Sequence, residues 1–337
     1  MKKYYPSFYH TSSCLAGHCP DTCCAGWEIP LSEQDKERFR TFIPADYFSD
    51  GIIAIDEKGD SCFKLSGGRC PFLNRENLCR IRLDFSHELT PDVCRQYPLF
   101  IEEYDTFTEC CPSLSCPSVC ESIFTQRRLM PVFPDPDYNG EDEFLHSLIL
   151  TRSKVLSFIE KTQENIQTVY ADIVEYASAA ESMSYSAQPV PETGNTDTGA
   201  AVQKYISDFE TLTDGFIKCL CKDCDILTEK WRNMVRSASA VPFDFRDFSF
   251  VLAEDNKRFL QYFVYRYWLK SVNDDCAIPY AYFIILCDAA CVHISRVSGV
   301  PFSETARLFS KETEHDSDNV DCLLDFVFET IFNNCDL

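Results

Sequence analysis

The sequence predicts a mainly α protein in which a cysteine-rich, loop-rich N-terminal region packs on a helical C-terminal region. Three observations carry that expectation. Twelve of the 20 cysteines fall within the first 120 residues, among prolines and glycines that interrupt long periodic runs. After residue 140, apolar residues recur at spacings of three, four and seven, the signature of a helix with one buried face. With 337 residues, 45% of them apolar, the chain can bury a core as one large or two ordinary domains without relying on cross-links.

Taken in chain order, the opening MKKYYPSFYH carries two lysines and then Tyr, Pro, Ser and His where a signal peptide needs an apolar run. The LAGHC stretch is not a lipoprotein cleavage site either, because His18 separates Gly17 from Cys19 and no apolar segment precedes it. The expected location is therefore the cytoplasm, where dense cysteines more often bind metal than form disulfides. Gly51 to Ile55 and Leu99 to Phe107 are brief and rich in β-branched or aromatic residues, so both are expected to be short strands. Pro131 to Gly140 has three prolines and ends in Asn-Gly, which is linker chemistry. It divides residues 1–130, the expected cluster-binding region, from the helical residues 131–337.

Phe144, Leu145, Leu148, Ile149, Val155, Leu156 and Ile159 set one helical face, expected to run to about residue 182. Ser184 to Ala200 is polar, with two prolines and two glycines, and is expected to be a flexible loop. Further helices are expected over about 202–235, 250–272, 278–298 and 318–334. The stripe Phe259, Leu260, Phe263, Val264, Tyr267 and Trp268 is read as core, not as a cofactor wall. The longest apolar candidate for a membrane span, Ala277 to Cys287, falls short of the roughly 18 residues required. Lys and Arg number 31 against 53 Asp and Glu, a net charge of −22 that disfavours nucleic acid and anionic membranes and favours a cationic partner. Oligomeric state is not readable.

The cysteines fall into three groups: Cys14, Cys19, Cys23 and Cys24; then Cys70, Cys79 and Cys94; then Cys110, Cys111, Cys116 and Cys120. Close spacing lets thiolates of the first group converge at little loop-closure cost. Adjacent Cys23 and Cys24 are poorly placed for a mutual disulfide and suit separate ligands. Gly17 and Gly26 permit tight turns around them. Zinc ribbons would show two Cys-x-x-Cys knuckles, and radical enzymes that cleave S-adenosylmethionine would show Cys-x3-Cys-x2-Cys. Neither occurs, since Gly26 holds the third position after Cys19 and Cys23. Cysteine number favours iron–sulfur over zinc. His10, His18 and His87 are expected to be surface or outer groups.

These residues resemble the flagellin lysine-N-methylases, within the wider set of cysteine-cluster proteins regarded as zinc- or iron-chelating. The resemblance rests on Asp21-Thr22-Cys23-Cys24-Ala25-Gly26-Trp27, Cys70-Pro71-Phe72-Leu73, Leu78-Cys79-Arg80-Ile81, Cys94-Arg95-Gln96-Tyr97-Pro98 and Ser113-Leu114-Ser115-Cys116-Pro117, in that order. The aromatic stretch Asn256 to Trp268 resembles the family's helical half. What the resemblance implies is a metal-ligand set of Cys14, Cys19, Cys23, Cys24, Cys70, Cys79, Cys94 and Cys116, holding a [4Fe–4S] cluster, with zinc as the alternative. Eight candidates allow one centre plus structural thiols, or two centres. Cys62, Cys110, Cys111 and Cys120 depart from the pattern, as does Leu99, where Arg often follows Tyr-Pro.

The implied activity is transfer of a methyl group from S-adenosylmethionine to lysines of flagellin or a similar protein. No Gly-rich donor turn supports it: Gly67-Gly68 reads simply as a turn into Cys70. Arg95 and Tyr97, inside a family-like motif, are the candidate cofactor-binding residues; Asp21, Glu28, Arg69, Arg80 and Arg82 are expected to be solvated or structurally paired. No catalytic base is assigned. Cys219, Cys221 and Cys224 form a further compact set, of which only Cys221 and Cys224 share a helical face. Cys276, Cys287, Cys291, Cys322 and Cys335 read as small apolar residues, and His293 as a core or surface histidine. The competing reading is a metal-binding or redox-sensing iron–sulfur or zinc protein without methylation.

Overall fold

The computed structural model describes residues 1–48, 51–56, 59–124, 132–185, 209–245 and 253–333. A short strand β1 (Lys2–Tyr4) runs parallel to β5 (Phe107–Pro112), which pairs antiparallel with β4 (Leu99–Glu103). The expected strand at 99–107 is thus one arm of a hairpin whose second arm is the sheet's central strand. All six residues of β5 are buried, Cys110 and Cys111 among them. A second small sheet pairs β2 (Ile53–Ile55) with β3 (Ser61–Phe63).

Helices α1 (Glu33–Phe42), α2 (Arg80–Asp84), α3 (Asp92–Gln96) and α4 (Pro117–Phe124) are short. The first is fixed by a capping box, in which Asp35 N donates to the Ser32 hydroxyl while Asp35 accepts from Ser32 N. The single helix expected from 144 to 182 is instead a hairpin of α5 (Glu143–Lys161) and α6 (Ile166–Tyr185). The Asn165 side chain accepts from Thr168 N at 3.0 Å, starting a new helix after the polar run Glu160 to Asn165. The expected helix at 202–235 is likewise two, α7 (Phe209–Lys222) and α8 (Glu229–Ser239), the latter capped by Thr228. Residues 202–208 lie outside the described residues, as does all of the expected 184–200 loop beyond Tyr185.

Next come α9 (Glu254–Tyr267), which continues as a 3-10 turn over Leu269–Asp274, and α10 (Ile278–Ser298). The chain closes with α11 (Phe302–Phe309), unforeseen in the sequence, a π-helical turn over Ser310–Glu314, and α12 (Ser317–Asn333). By length and composition α10 could cross a membrane, with mean hydropathy 1.5, but 83% of that window is buried inside this protein. It is the central core helix. The aromatic stripe of α9 is core as read, with no residue of it more than 1% exposed.

Apolar side chains divide into two clusters. The larger joins Tyr4, Phe8, Phe107, Leu114 and Ile123 to the helices after residue 143. The smaller contains Ile29, Leu31, Phe39, Ile43, Phe63, Cys70, Phe72 and Ile81. The described residues up to 124 therefore do not share one core. Strands β1, β4 and β5 pack with the C-terminal helices, and residues 29–94 form a satellite that carries Cys70, Cys79 and Cys94, with Cys24 packed against it.

Polar side chains lock the sheet to the helices. Arg152 of α5, fully buried, makes two hydrogen bonds to Glu109 of β5, at 2.8 and 2.6 Å. Arg266 of α9 donates to Glu102 of β4 at 2.7 Å and lies over the Phe100 ring. Lys257 and Arg258 donate to the carbonyls of Thr162 and Ile123, at 2.8 and 2.6 Å.

Candidate metal centre

Two loops and three helix ends bring the family-like cysteines together. The loop of Cys14 to Trp27 is zipped to residues 66–79: Gly26 N donates to Gly68 O at 2.7 Å and Cys70 N to Cys24 O at 2.8 Å. Gly26, Gly67 and Gly68 all have positive φ, so each turn is cheap only for glycine. At Gly17 the loops approach so closely that an added Cβ would stand 2.5 Å from the Glu76 carbonyl oxygen. Cys79 directly precedes α2, Cys94 sits within α3, and Cys116 directly precedes α4, where the amides of Ser118 and Val119 reach its sulfur. Ser13 N donates to Ser118 Oγ at 3.0 Å, tying the first loop to α4.

The electrostatics sort these thiols. Cys94 is pushed up by burial first and then by the charges of Cys24, Cys70 and Cys79. Cys70, pushed up to about 12 mainly by burial, is also raised by Cys24 and Cys79. Cys24, Cys70, Cys79 and Cys94 thus form one neighbourhood. Cys116, raised by burial, responds to Cys19 and Cys14, which makes a second. Cys23 stands between them: it hydrogen-bonds Cys24, which raises its pKa, and it responds to both Cys94 and Cys14. The bond from Cys23, followed by those from Thr22 and the charge of Arg69, outweighs burial and lowers the Cys24 pKa. Cys24 is the thiol of the pair that ionises first.

Among the described residues, no three His, Cys, Asp or Glu side chains are already closed on one point. The donor set is nevertheless chemically suited to thiophilic metal: sulfur-only neighbourhoods whose thiols are mostly raised, so that binding would release protons. Cys62, Cys110 and Cys111 are buried elsewhere; Cys120, also buried, lies one turn on from Cys116, responds to its charge and donates to Ser303 O.

Arg95 and Tyr97 occupy different surroundings. Arg95 is committed to Glu88 O at 2.7 Å, Thr90 O at 3.1 Å and the Asp92 carboxylate, and Asp92 in turn pairs with Arg38. These partners make it a brace for α3 beside Cys94. Tyr97 lies against Trp27 and His315 and shares a hydrogen bond with Ser115 at 3.1 Å.

Several residues of the site were not legible as such. Asp21, expected to be solvated or structurally paired, pairs with Arg307 at 2.7 Å and Lys311 at 2.6 Å, across nearly the whole chain. Burial opposes its charge, but the two cations hold the carboxyl below its ordinary range. His315, just after the π-helical turn, meets the Ser113 and Ser115 hydroxyls at 2.8 and 2.9 Å through Nε2 and packs on Trp27. Glu314 is buried and receives the Tyr262 and Tyr267 hydroxyls. A groove of about 460 Å³ runs beside Asp21, Pro117, Glu121, Glu304, Arg307 and Lys311. Only the fold joins residues 21, 115 and 315, and no periodicity announces such a junction.

Burial, with a smaller push from the Arg266 charge, depresses the His315 pKa from 6.5 to about 3. The folded state therefore keeps His315 neutral while the unfolded chain protonates it below about pH 6.5. Its contribution to stability is complete above that value and is lost as pH falls toward 3, by about 1.4 kcal/mol per pH unit for one proton. Urea unfolding between pH 6 and 4 should show a slope steeper by one proton than that of His315→Gln. Equal slopes would mean that His315 titrates normally when folded.

Residues 13–112 match a family model described as a "putative zinc- or iron-chelating domain". The flagellar biosynthetic protein FliU of Salmonella muenchen is 26% identical over 125 residues, covering 35% of this chain and 74% of that protein. A lysine-N-methylase of Salmonella typhimurium and one of Salmonella choleraesuis are each 29% identical over 128 residues, 35% of this chain. The match spans 31% of the length of each methylase. No solved structure matches the chain. The resemblance read from the cysteine motifs is borne out over this segment, which carries the family's chelating pattern.

Proposed function

We propose that this chain is an iron–sulfur protein that transfers a methyl group from S-adenosylmethionine to lysine side chains of flagellin or a similar protein in the cytoplasm. The observation that carries the reading is the sorting of the eight family-like cysteines into two neighbourhoods divided at Cys23-Cys24: Cys24, Cys70, Cys79 and Cys94 on one side, Cys14, Cys19 and Cys116 on the other. The relatives named lysine-N-methylase support the activity. In this reading the cysteine-rich region up to about residue 130 holds the cluster and the later helices brace it. A bound cluster would supply one-electron chemistry and a rigid cross-link between distant segments.

The chain's own residues would do the rest. Lysine attacks a sulfonium methyl only as the neutral amine, so the site must strip water from it or draw off its proton. Glu121 and Glu304 at the groove rim can receive an ammonium group; Glu304 already pairs with Lys230 at 2.8 Å. Arg307 and Lys311, anchored on Asp21, fix the groove wall against the cysteine loop. The net charge of −22 favours a basic protein substrate over an anionic one.

Cluster-loaded protein incubated with S-adenosylmethionine and flagellin of the same organism should add increments of about 14 Da to flagellin lysines, read by peptide mass spectrometry. The increments should vanish when the cluster is removed. Cluster-loaded protein that binds neither donor nor flagellin would instead support the metal-binding or redox reading.

A further inference from the structure

A second sulfur cluster lies outside residues 13–112, the segment that matches the family model. Cys219, in the last turn of α7, and Cys322 of α12 approach to 3.7 Å between sulfurs, across 103 positions of sequence. Both line an open cavity of about 680 Å³ together with Lys218, Asp223, Asp321 and Asp325. Cys224, buried just beyond α7, completes a set of three thiols. Cys221, expected to share a helical face with Cys224, accepts from the Ser239 hydroxyl instead, because the helix ends at Lys222 before that face can form. Cys322, expected to be a packing residue, takes its place.

We propose that Cys219 and Cys322 form a peroxide-responsive thiol pair, Cys219 being oxidised first and Cys322 closing a disulfide between α7 and α12. Three features place the roles. Cys219 accepts from neighbouring thiols: the bond from Cys224, and after burial that from Cys322, lower its pKa, which favours the nucleophilic thiolate. Cys322 is the more exposed of the two, is raised by burial to about 11, and stays a thiol until needed. The sulfurs need close by only about 1.7 Å to reach bonding distance.

With hydrogen peroxide as oxidant, the Cys219 thiolate attacks one oxygen; an S–O bond forms, the O–O bond breaks, and hydroxide leaves as water after taking a proton. Cys322 sulfur then attacks the sulfenic sulfur; the S–S bond forms, the S–O bond breaks, and the departing hydroxide takes the Cys322 proton. Two thiols and one peroxide become one disulfide and two waters.

The test uses full-length, metal-loaded protein carrying Cys221→Ser and Cys335→Ser, so that each relevant tryptic peptide holds one thiol. Stoichiometric peroxide should link the Cys219 and Cys322 peptides, reversibly with dithiothreitol, and raise Tm. Adding Cys322→Ser should leave a sulfenic acid at Cys219 that dimedone traps, whereas Cys219→Ser should leave Cys322 unlabelled. A Cys219–Cys224 link would overturn the pairing. Oxidation of the half-buried Cys276 ahead of Cys219, or a metal equivalent lost only on Cys219→Ser, would overturn the proposal.

Discussion

Cys94→Ser should strip most of the iron and acid-labile sulfide from its centre in anaerobically purified protein, while Cys287→Ser should leave both unchanged. Cys94 responds to the charges of Cys24, Cys70 and Cys79, so it completes a four-thiol neighbourhood. Cys287 is equally a cysteine, yet it is wholly buried on α10 and acts as a small apolar side chain. The series also counts centres. If there are two, Cys24→Ser, Cys70→Ser and Cys79→Ser should follow Cys94→Ser, and Cys14→Ser, Cys19→Ser and Cys116→Ser should empty only the other. Uniform loss at all seven positions would mean one shared centre. Stoichiometric zinc without sulfide would replace the cluster by a structural zinc site, and equal losses at Cys94 and Cys287 would show the ligand assignment to be wrong.

Arg152→Ala should destabilise the fold by about 3–5 kcal/mol, the range for removing one partner of a buried pair. Arg152 is completely buried and makes two bonds to Glu109, with Tyr265 beneath its guanidinium at 4.9 Å. Burial pushes the Glu109 carboxyl up and Arg152 pulls it down, whereas the guanidinium is held firmly charged. The two-point geometry identifies a charged pair. Without the cation, Glu109 would sit unpaired in the central strand, between the sheet and α5. Urea midpoints should show Glu109→Gln comparably damaging, and the double variant Arg152→Met, Glu109→Leu less damaging than the two singles summed. A loss under about 1 kcal/mol for Arg152→Ala would place water at this site.

The helical half was legible where local signals and packing agree. α10 begins and ends as expected at Ile278 and Ser298, because Pro279 suits its first turn and Gly299 takes the left-handed cap. α12 also falls within a residue of its expected span. The break after Lys161 coincides with the polar run Glu160 to Asn165, whereas the apolar pattern runs on through Lys222; caps at Asn165 and Thr228 start the new helices. Arg95 shows the same limit in the site. Its motif marked it as important, but its donors are spent on Glu88, Thr90 and Asp92.

By itself the sequence indicated which thiols fall in a family-like pattern, where glycines turn the chain, and most of the helical stretches after residue 140, all of which depend on residues a few positions apart. Tertiary structure alone decided which thiols are neighbours: that Cys24 meets Cys70, Cys79 and Cys94, that Cys219 meets Cys322, and that Asp21 meets Arg307 and Lys311. The reason is physical. A thiol or carboxylate shows the same chemistry in the sequence whatever lies across from it, and its partner is chosen by how the two apolar clusters pack. That choice is spread over dozens of buried side chains, none of them near the partner in sequence.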